Sequence, residues 1–290
     1  MSDTPAPDGE PAPLRIRKTY KLYVGGAFPR SESGRSYPVT APDGALLAHA
    51  AQASRKDVRD SVVAARAAFG GWAAATAYNR GQVIYRIAEL LDGRRAQFED
   101  EVAACGDDPD TVAIAIDRIV WYAGWADKFA QVVGGTNPVA GPYFNFSLPE
   151  PTGVVGVIAP QESSLLGLVS VIAPVIVTGN TAVVLASQDR PLPAVSLTEA
   201  LATADLPGGV INLLTGITAE LAPWLASHRN VDAVDLTGLA PAGRVALQQA
   251  GAGNVKRVYS PLESDWLADP GIRRLRAFVE TKTVWHPIGV

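Results

Sequence analysis

The sequence contains very few residues of the kinds that form disulfides or hold metals. Its 290 residues include a single cysteine, Cys105, and three histidines, His49, His228 and His286. One cysteine excludes a disulfide framework, and the scattered histidines lack the spacing of zinc ligands. We therefore expect no metal site, and a single thiol suits a reducing, cytoplasmic compartment.

Excess charge and long apolar runs are also scarce. The net charge is −4, which gives no basic surface for nucleic acid. The longest apolar run, residues 165–177, is too short to span a bilayer and contains Pro174, so we interpret it as a buried helix. No basic segment followed by an apolar core indicates a secretory signal, and residues 1–18 are expected to form a disordered tail. These features favour a soluble globular protein.

The second half of the chain has the pattern of a parallel sheet. Four β-branched runs are separated by segments of helical length, and a fifth strand is predicted over residues 255–260. The four runs lie within residues 150–160, 179–185, 209–216 and 233–238. The predicted crossover helices are 163–178, 192–204, 218–227 and 240–249. Ligands bind beyond the carboxyl ends of such strands, which places any site near Pro160, Ala186, Gly216 and Gly238.

The first half predicts short strands followed by helices. Ser54 and Asp57 have the spacing of a capping box, and the helix that they begin is expected to end at Gly70 and Gly71. Two further helices are predicted over residues 80–104 and 111–133. Strands are expected within residues 20–28, 37–40 and 46–53.

Two segments outside the sheet predict extended structure. Residues 143–148 alternate aromatic and polar side chains, and we expect them to form a hairpin with the run that begins at Gly153. Residues 279–288 have the pattern of a terminal strand. Residues 273–278 are predicted to form a short basic turn just before this terminal strand.

Several segments, in order along the chain, resemble the aldehyde dehydrogenase superfamily. They are residues 22–26 (LYVGG), 64–72 (AARAAFGGW), 122–128 (YAGWADK), 150–160 (EPTGVVGVIAP), 173–181 (APVIVTGNT), 206–212 (LPGGVIN) and 280–285 (ETKTVW). Residues 137–145 (NPVAGPYFN) are most similar to the sixteenth aldehyde dehydrogenase family, whose members carry a second, degenerate module. The resemblance implies an α/β fold with a Rossmann-like parallel sheet, crossover helices, N-terminal helices and a protruding β flap.

This resemblance divides the chain into parts. Residues 19–141 and 154–260 are similar to the nucleotide-binding-type domain of the family. Residues 142–153 and 278–290 are similar to its oligomerisation flap. Residues 261–277 are a short linker where family members have a catalytic domain with a nucleophilic cysteine, which is far too little chain for a domain.

The catalytic motifs of the family are altered. Residues 160–164 read PQESS where the family has Pro-Trp-Asn-Phe-Pro, so that Glu162 replaces an oxyanion-hole amide with a carboxylate. Residues 260–264 read SPLES where the family carries its general base, and Pro261 takes the position of that glutamate. We expect Glu263 to be a solvated loop carboxylate rather than a displaced base, and Cys105 to be structural. The resemblance therefore implies no catalytic residue.

The cofactor motifs are altered as well. Residues 185–189 read LASQD and lack the lysine with which the family holds a ribose. Residues 237–243 read TGLAPAG, which keeps Gly238 and Gly243 but loses a serine hydroxyl. We interpret Gly216, Gly238 and Gly243 as vestigial cofactor-binding residues and expect no cofactor. Weak NAD binding is the alternative, because a helix start can still admit a phosphate.

The segments that remain intact are the ones the family uses for assembly. We therefore expect a non-catalytic subunit, a pseudoenzyme, that pairs through the flap with itself or with a full-length aldehyde dehydrogenase. An NAD(P)-dependent aldehyde oxidoreductase with an unrecognised nucleophile and an NAD-sensing module are the alternatives. Neither nucleic acid nor a membrane is expected as a partner.

Overall fold

A computed structural model describes residues 18–261 and 264–289 as an α/β fold. Its strands are β1 (Thr19–Tyr20), β2 (Ser36–Thr40), β3 (Leu46–Ala51), β4 (Gly135–Thr136), β5 (Tyr143–Pro151), β6 (Val154–Ile158), β7 (Thr181–Leu185), β8 (Ile211–Leu214), β9 (Ala233–Asp235), β10 (Arg257–Tyr259) and β11 (Val279–Pro287). Its helices are α1 (Arg55–Ala74), α2 (Ala77–Asp92), α3 (Arg95–Ala104), α4 (Thr111–Trp125), α5 (Phe129–Val133), α6 (Leu166–Val177), α7 (Leu192–Leu201), α8 (Thr218–Ser227), α9 (Pro241–Ala252) and α10 (Arg273–Ala277). Within these residues, no helix is both long enough and apolar enough to cross a bilayer.

The predicted parallel sheet is confirmed. Five parallel strands lie in the order β10-β9-β6-β7-β8. The central strand β6 pairs on both sides, so that Val155 lies between Ala182 and Ala233. Both β6 and β7 are buried along their whole length, which explains why their sequences are continuous β-branched runs rather than alternating ones.

Helices cover both faces of this sheet. On one face, α2, α4, α6 and α7 belong to the larger hydrophobic core, and the entirely buried α6 is the helix predicted over residues 163–178. On the other face, α1, α8 and α9 form a second core, which includes Leu225 of α8 and Leu247 of α9. The sheet is thus a middle layer, and its carboxyl edge is held in place from both sides.

The predicted capping box at the start of α1 is confirmed. The Asp57 carboxylate accepts a 2.7 Å hydrogen bond from the Ser54 backbone, and the Ser54 hydroxyl accepts from the Asp57 backbone. The predicted end of this helix at Gly70 and Gly71 is wrong, because α1 continues to Ala74. Trp72 is buried and its indole donates a 2.8 Å hydrogen bond to the carbonyl of Ile176, so tertiary packing sustains the helix past the glycines.

Two other predicted helices are each divided in the structure. The helix predicted over residues 80–104 is interrupted at Gly93, the C-cap of α2, which donates its N–H to Glu89. The helix predicted over residues 111–133 ends at Trp125, and α5 follows it. Of the predicted tail, Lys18 forms a 2.7 Å ion pair with Glu199, and residues 1–17 lie outside the described residues.

The flap is a three-stranded antiparallel sheet in the order β11-β5-β4. Nine residues of β5 pair with nine of β11, from Tyr143 opposite Pro287 to Pro151 opposite Val279. The predicted hairpin between residues 143–148 and the run after Gly153 is therefore wrong. Gly153, at φ +139°, turns the chain out of the flap and into β6.

Candidate functional site

A cavity of about 610 Å³ lies at the carboxyl edge of the central sheet. Residues 264–277, which we call the strap, run from the region of β10 back to β11 and contribute to its wall. The residues that line the cavity are Gln161, Glu162, Thr237, Gly238, Leu239, Ala240, Pro241, Arg244, Pro261, Ser264 and Trp266. This is the edge at which the sequence predicts a site.

A buried ion pair fastens the strap to the end of β9. The Arg274 guanidinium lies 2.9 Å from the carboxylate of Asp235, which is fully buried. Arg274 also donates to the hydroxyls of Thr237 and Ser264, and Thr237 donates its backbone N–H to Asp235. Burial raises the pKa of Asp235, and the guanidinium and the Thr237 donors offset part of this effect.

A second arginine also holds the strap. Arg118, on α4, is buried and donates to the carbonyls of Trp266 at 2.8 Å and Ala268 at 3.0 Å, and to the Ser170 hydroxyl at 2.8 Å. Burial lowers the pKa of Arg118. Arg274, in the strap, and Arg118, on α4, thus fix a segment that has no regular structure over most of its length.

The loop after β6 is tied to the strap and to the loop after β7. The Glu162 carboxylate accepts a 3.0 Å hydrogen bond from the indole of Trp266. Gln161 accepts a 2.9 Å bond from the backbone of Gln188. The carbonyl of Glu162 accepts from Arg190, which also pairs with Asp107. Glu162 therefore serves as a hydrogen-bond acceptor for the strap.

The three glycines proposed from the sequence lie in different environments. A Cβ added to Gly238 would lie 1.9 Å from the carbonyl oxygen of Ala159, so Gly238 is packed against the end of β6. Gly243 lies in the first turn of α9 with open space around its Cβ position. Gly216 lies just after β8 and is buried at φ +148°. Its neighbour in space is Ala53, just before α1, so this contact brings the two elements together. Of the three, Gly238 lines the cavity.

Cys105 does not belong to this cavity. It is buried at the end of α3. Burial, together with the carboxylates of Asp107 and Glu101, raises the pKa of its thiol to about 11. This thiol is protonated at neutral pH and has the character of a packing residue. Glu263 lies outside the described residues.

Comparison with known proteins identifies the family. Residues 28–264 match the model of the aldehyde dehydrogenase family. The chain belongs to the aldehyde dehydrogenase family. Its relatives include retinal dehydrogenase 2 of Mus musculus, 34% identical over 86% of this chain, and a mitochondrial aldehyde dehydrogenase of Rattus norvegicus, 30% identical over 89%. The chain covers 49% and 50% of the lengths of these two relatives.

Solved structures give the same result. A point mutant of an aldehyde dehydrogenase from Bacillus cereus superposes with a TM-score of 0.78 at 27% identity, covering 83% of this chain and 50% of the other. The NAD+ complex of aldehyde dehydrogenase from the same organism superposes with a TM-score of 0.76, also at 27% identity. The aldehyde dehydrogenase fold is thus confirmed over half the length of these proteins.

The residues around the cavity do not fit the pyrophosphate of a dinucleotide. Glu162 places a carboxylate on the wall, where it would repel a phosphate. The guanidinium of Arg244 already donates hydrogen bonds to backbone carbonyls, to Leu239 at 2.7 Å and also to Pro261. Trp266 of the strap stands opposite, hydrogen-bonded to Glu162. We derive no chemical step through NAD for this chain.

Sequence reasoning missed the residues that build this edge. Asp235, Arg274, Arg118 and Trp266 come from separate parts of the chain, and none of them belongs to a local motif. One signal was present in the sequence: Asp235 interrupts the apolar run of β9, and a buried carboxylate requires a cationic or hydrogen-bonding partner.

Proposed function

We propose that this chain is a non-catalytic subunit of the aldehyde dehydrogenase family, which assembles through its flap with itself or with a full-length aldehyde dehydrogenase. In this proposal it corresponds to the degenerate module of the sixteenth family. Its role is to stabilise or cover a partner rather than to oxidise an aldehyde.

One observation carries this proposal: the strap lies at the carboxyl edge of the sheet, and both arginines that fix it have hydrogen-bonding partners there. Arg274 is paired with Asp235, and Arg118 is satisfied by strap carbonyls and Ser170. A buried ion pair and an indole–carboxylate bond at this edge support a structural role better than a substrate pocket.

The flap supports assembly. It extends nine paired residues of β5 and β11 and exposes large apolar side chains, with Phe144 48% and Trp285 59% exposed. The remaining exposed apolar side chains on or next to these strands are Tyr143, Leu148 and Ile288. Apolar surface of this kind marks an interaction site. Only two residues of β4 add to the ribbon of β5 and β11, and a two-stranded ribbon is marginal alone and gains from a partner.

The test is the native mass of the purified chain, measured alone and after mixing with a full-length aldehyde dehydrogenase from the same host. A dimer or a mixed complex is expected. A monomer under both conditions would contradict the proposal.

A second measurement addresses the enzymatic alternative. The pure chain is titrated with NAD up to millimolar concentration in a calorimeter and is assayed for NADH production with aldehydes, with the full-length enzyme as positive control. We expect neither heat nor NADH from this chain. Aldehyde-dependent NADH production, lost in Cys105→Ala, would revive the oxidoreductase.

A further inference from the structure

The outer edge of β11 presents unpaired backbone groups. Thr152 donates its N–H to Phe278, and Ile288 donates its N–H to Pro142, so even-numbered positions of this strand bond to β5. Antiparallel pairing alternates, so the odd-numbered positions direct their backbone groups away from β5. Those with an N–H to donate are Val279, Thr281, Thr283 and Trp285. Within the described residues no strand pairs with this edge.

We propose that two copies of this chain pair edge to edge through β11, antiparallel, about a twofold axis at Thr283. This inference rests on the proposed function and specifies its partner as a second copy and its contact as backbone pairing. The result is one six-stranded sheet in the order β4-β5-β11-β11-β5-β4. An exposed edge of this length is a template for such pairing.

The length of the strand favours this register. With the axis at Thr283, all nine residues of β11 lie opposite residues of the second copy. An axis at Thr281 limits the overlap to residues 279–283, because α10 precedes β11. An axis at Trp285 limits it to residues 283–287. Both of these registers leave outward-directed backbone groups without partners.

The charges exclude the two neighbouring registers. An axis at Lys282 places that ammonium opposite its own copy, and like charges directly opposite each other destabilise a sheet. An axis at Val284 places Lys282 opposite His286 of the second copy, which offers the ammonium no partner of opposite charge. With the axis at Thr283, Lys282, which pairs with Glu150 at 2.9 Å, lies opposite Val284 of the second copy and not opposite another lysine.

The Thr283 register also provides favourable cross-strand pairs. Glu280, which already pairs with Arg257 at 2.7 Å, lies opposite His286 of the second copy. Thr281 lies opposite the exposed indole of Trp285 of the second copy. Pairs of aromatic with β-branched side chains are among those that stabilise antiparallel strands.

Single-cysteine variants test the register directly, because the sole native thiol, Cys105, is buried. Thr283→Cys places two thiols opposite each other across the axis, whereas Thr281→Cys, its matched control, faces Trp285. Each full-length variant is oxidised with copper phenanthroline at low concentration and is analysed on a non-reducing gel. We expect a covalent dimer from Thr283→Cys, at least tenfold more than from Thr281→Cys.

A mixed experiment provides a second test of the register. Thr281→Cys and Trp285→Cys chains, one of them with a larger tag, are expected to cross-link to each other when combined. Native mass separates the outcomes. One outcome is a native mass that shows a dimer or a complex with a full-length dehydrogenase while Thr283→Cys cross-links no better than Thr281→Cys. That result would overturn the edge pairing and leave the proposed function standing. A monomer alone and with the full-length enzyme would overturn both.

Discussion

The carboxylate of Asp235 lies 2.9 Å from the guanidinium of Arg274, and both residues are buried at the carboxyl edge of the sheet. Asp235 belongs to β9 and Arg274 to the strap, so the pair joins the central sheet to the strap. Two aromatic rings flank the guanidinium, with the centres of Tyr259 at 5.0 Å and Trp266 at 5.3 Å. The strap is therefore an integrated part of the core.

We expect Asp235→Asn to destabilise the protein strongly. The change leaves the Arg274 guanidinium buried without its counter-charge, and breaking a buried pair in this way costs about 3–5 kcal/mol. The measurement is the free energy of unfolding in urea, followed by circular dichroism. Asp60→Asn is the matched control, because Asp60 pairs with Arg59 at 2.8 Å but is 49% exposed. That control is expected to cost less than about 1 kcal/mol, and equal losses in the two variants would contradict a buried anchor.

Gly238 and Gly243 are expected to respond in opposite directions to alanine. In Gly238→Ala the new methyl group would collide with the Ala159 carbonyl, and we expect a loss of at least about 1–3 kcal/mol. In Gly243→Ala nothing lies within 4 Å of the new methyl group, and alanine stabilises a helix over glycine by roughly 0.5–1 kcal/mol. Thermal unfolding of the two variants measures this difference. A loss of stability in Gly243→Ala would indicate that the new methyl group meets a steric obstacle in the folded protein.

The fold was predictable from local pattern wherever local physics decides it. The β-branched runs predicted the parallel sheet because strands buried on both faces must be apolar throughout. The pair Ser54 and Asp57 predicted the start of α1 because a capping box satisfies helix N–H groups within four residues. A cavity does lie at the edge where the sequence predicts a site, because parallel strands bring their carboxyl ends together.

Several of the errors share one cause, which is contact between residues far apart in the chain. The partner of β5 is β11, more than a hundred residues away, so its alternating pattern could not distinguish that pairing from a local hairpin. Helix α1 passes two glycines because Trp72 is anchored to Ile176. The strap has no periodicity, and its position depends on Arg118 and Asp235, which act from other elements.

The buried thiol predicts a loss of stability at alkaline pH. The pKa of Cys105 is raised from 9.0 to about 11 in the folded state, so the unfolded chain loses this proton first. The stabilising contribution is fully present below pH 9 and is lost as the pH rises towards 11, amounting to about 2–3 kcal/mol at 1.36 kcal/mol for each pKa unit. Urea unfolding at several pH values is the measurement.

Cys105→Ala is the control for this pH dependence. Burial raises the pKa values of Tyr20 and Tyr122 to about 12, so both proteins lose stability above pH 10, where the unfolded tyrosines ionise, and the contribution of the thiol is read from the difference between the two profiles. The variant is expected to lose less stability than the parent between pH 9 and 11. Identical pH profiles would indicate that the thiol ionises in the folded protein as it does in the unfolded chain.

The last prediction concerns the edge of β11, where Thr281 directs its backbone N–H away from β5. Thr281→Pro removes this donor without touching a bond to β5, and proline is tolerated on an edge strand in this orientation. In a pair of copies the change deletes two hydrogen bonds, one per chain. At about 1 kcal/mol each, this loss weakens dimerisation by roughly 30-fold. Thr281→Ala keeps the N–H but loses the same side-chain pair with Trp285 of the second copy, so the proline variant is compared with the alanine variant and is expected to dimerise more weakly than it. Sedimentation across a concentration series measures both variants, and equal dissociation constants for proline and alanine would show that this edge is not the contact.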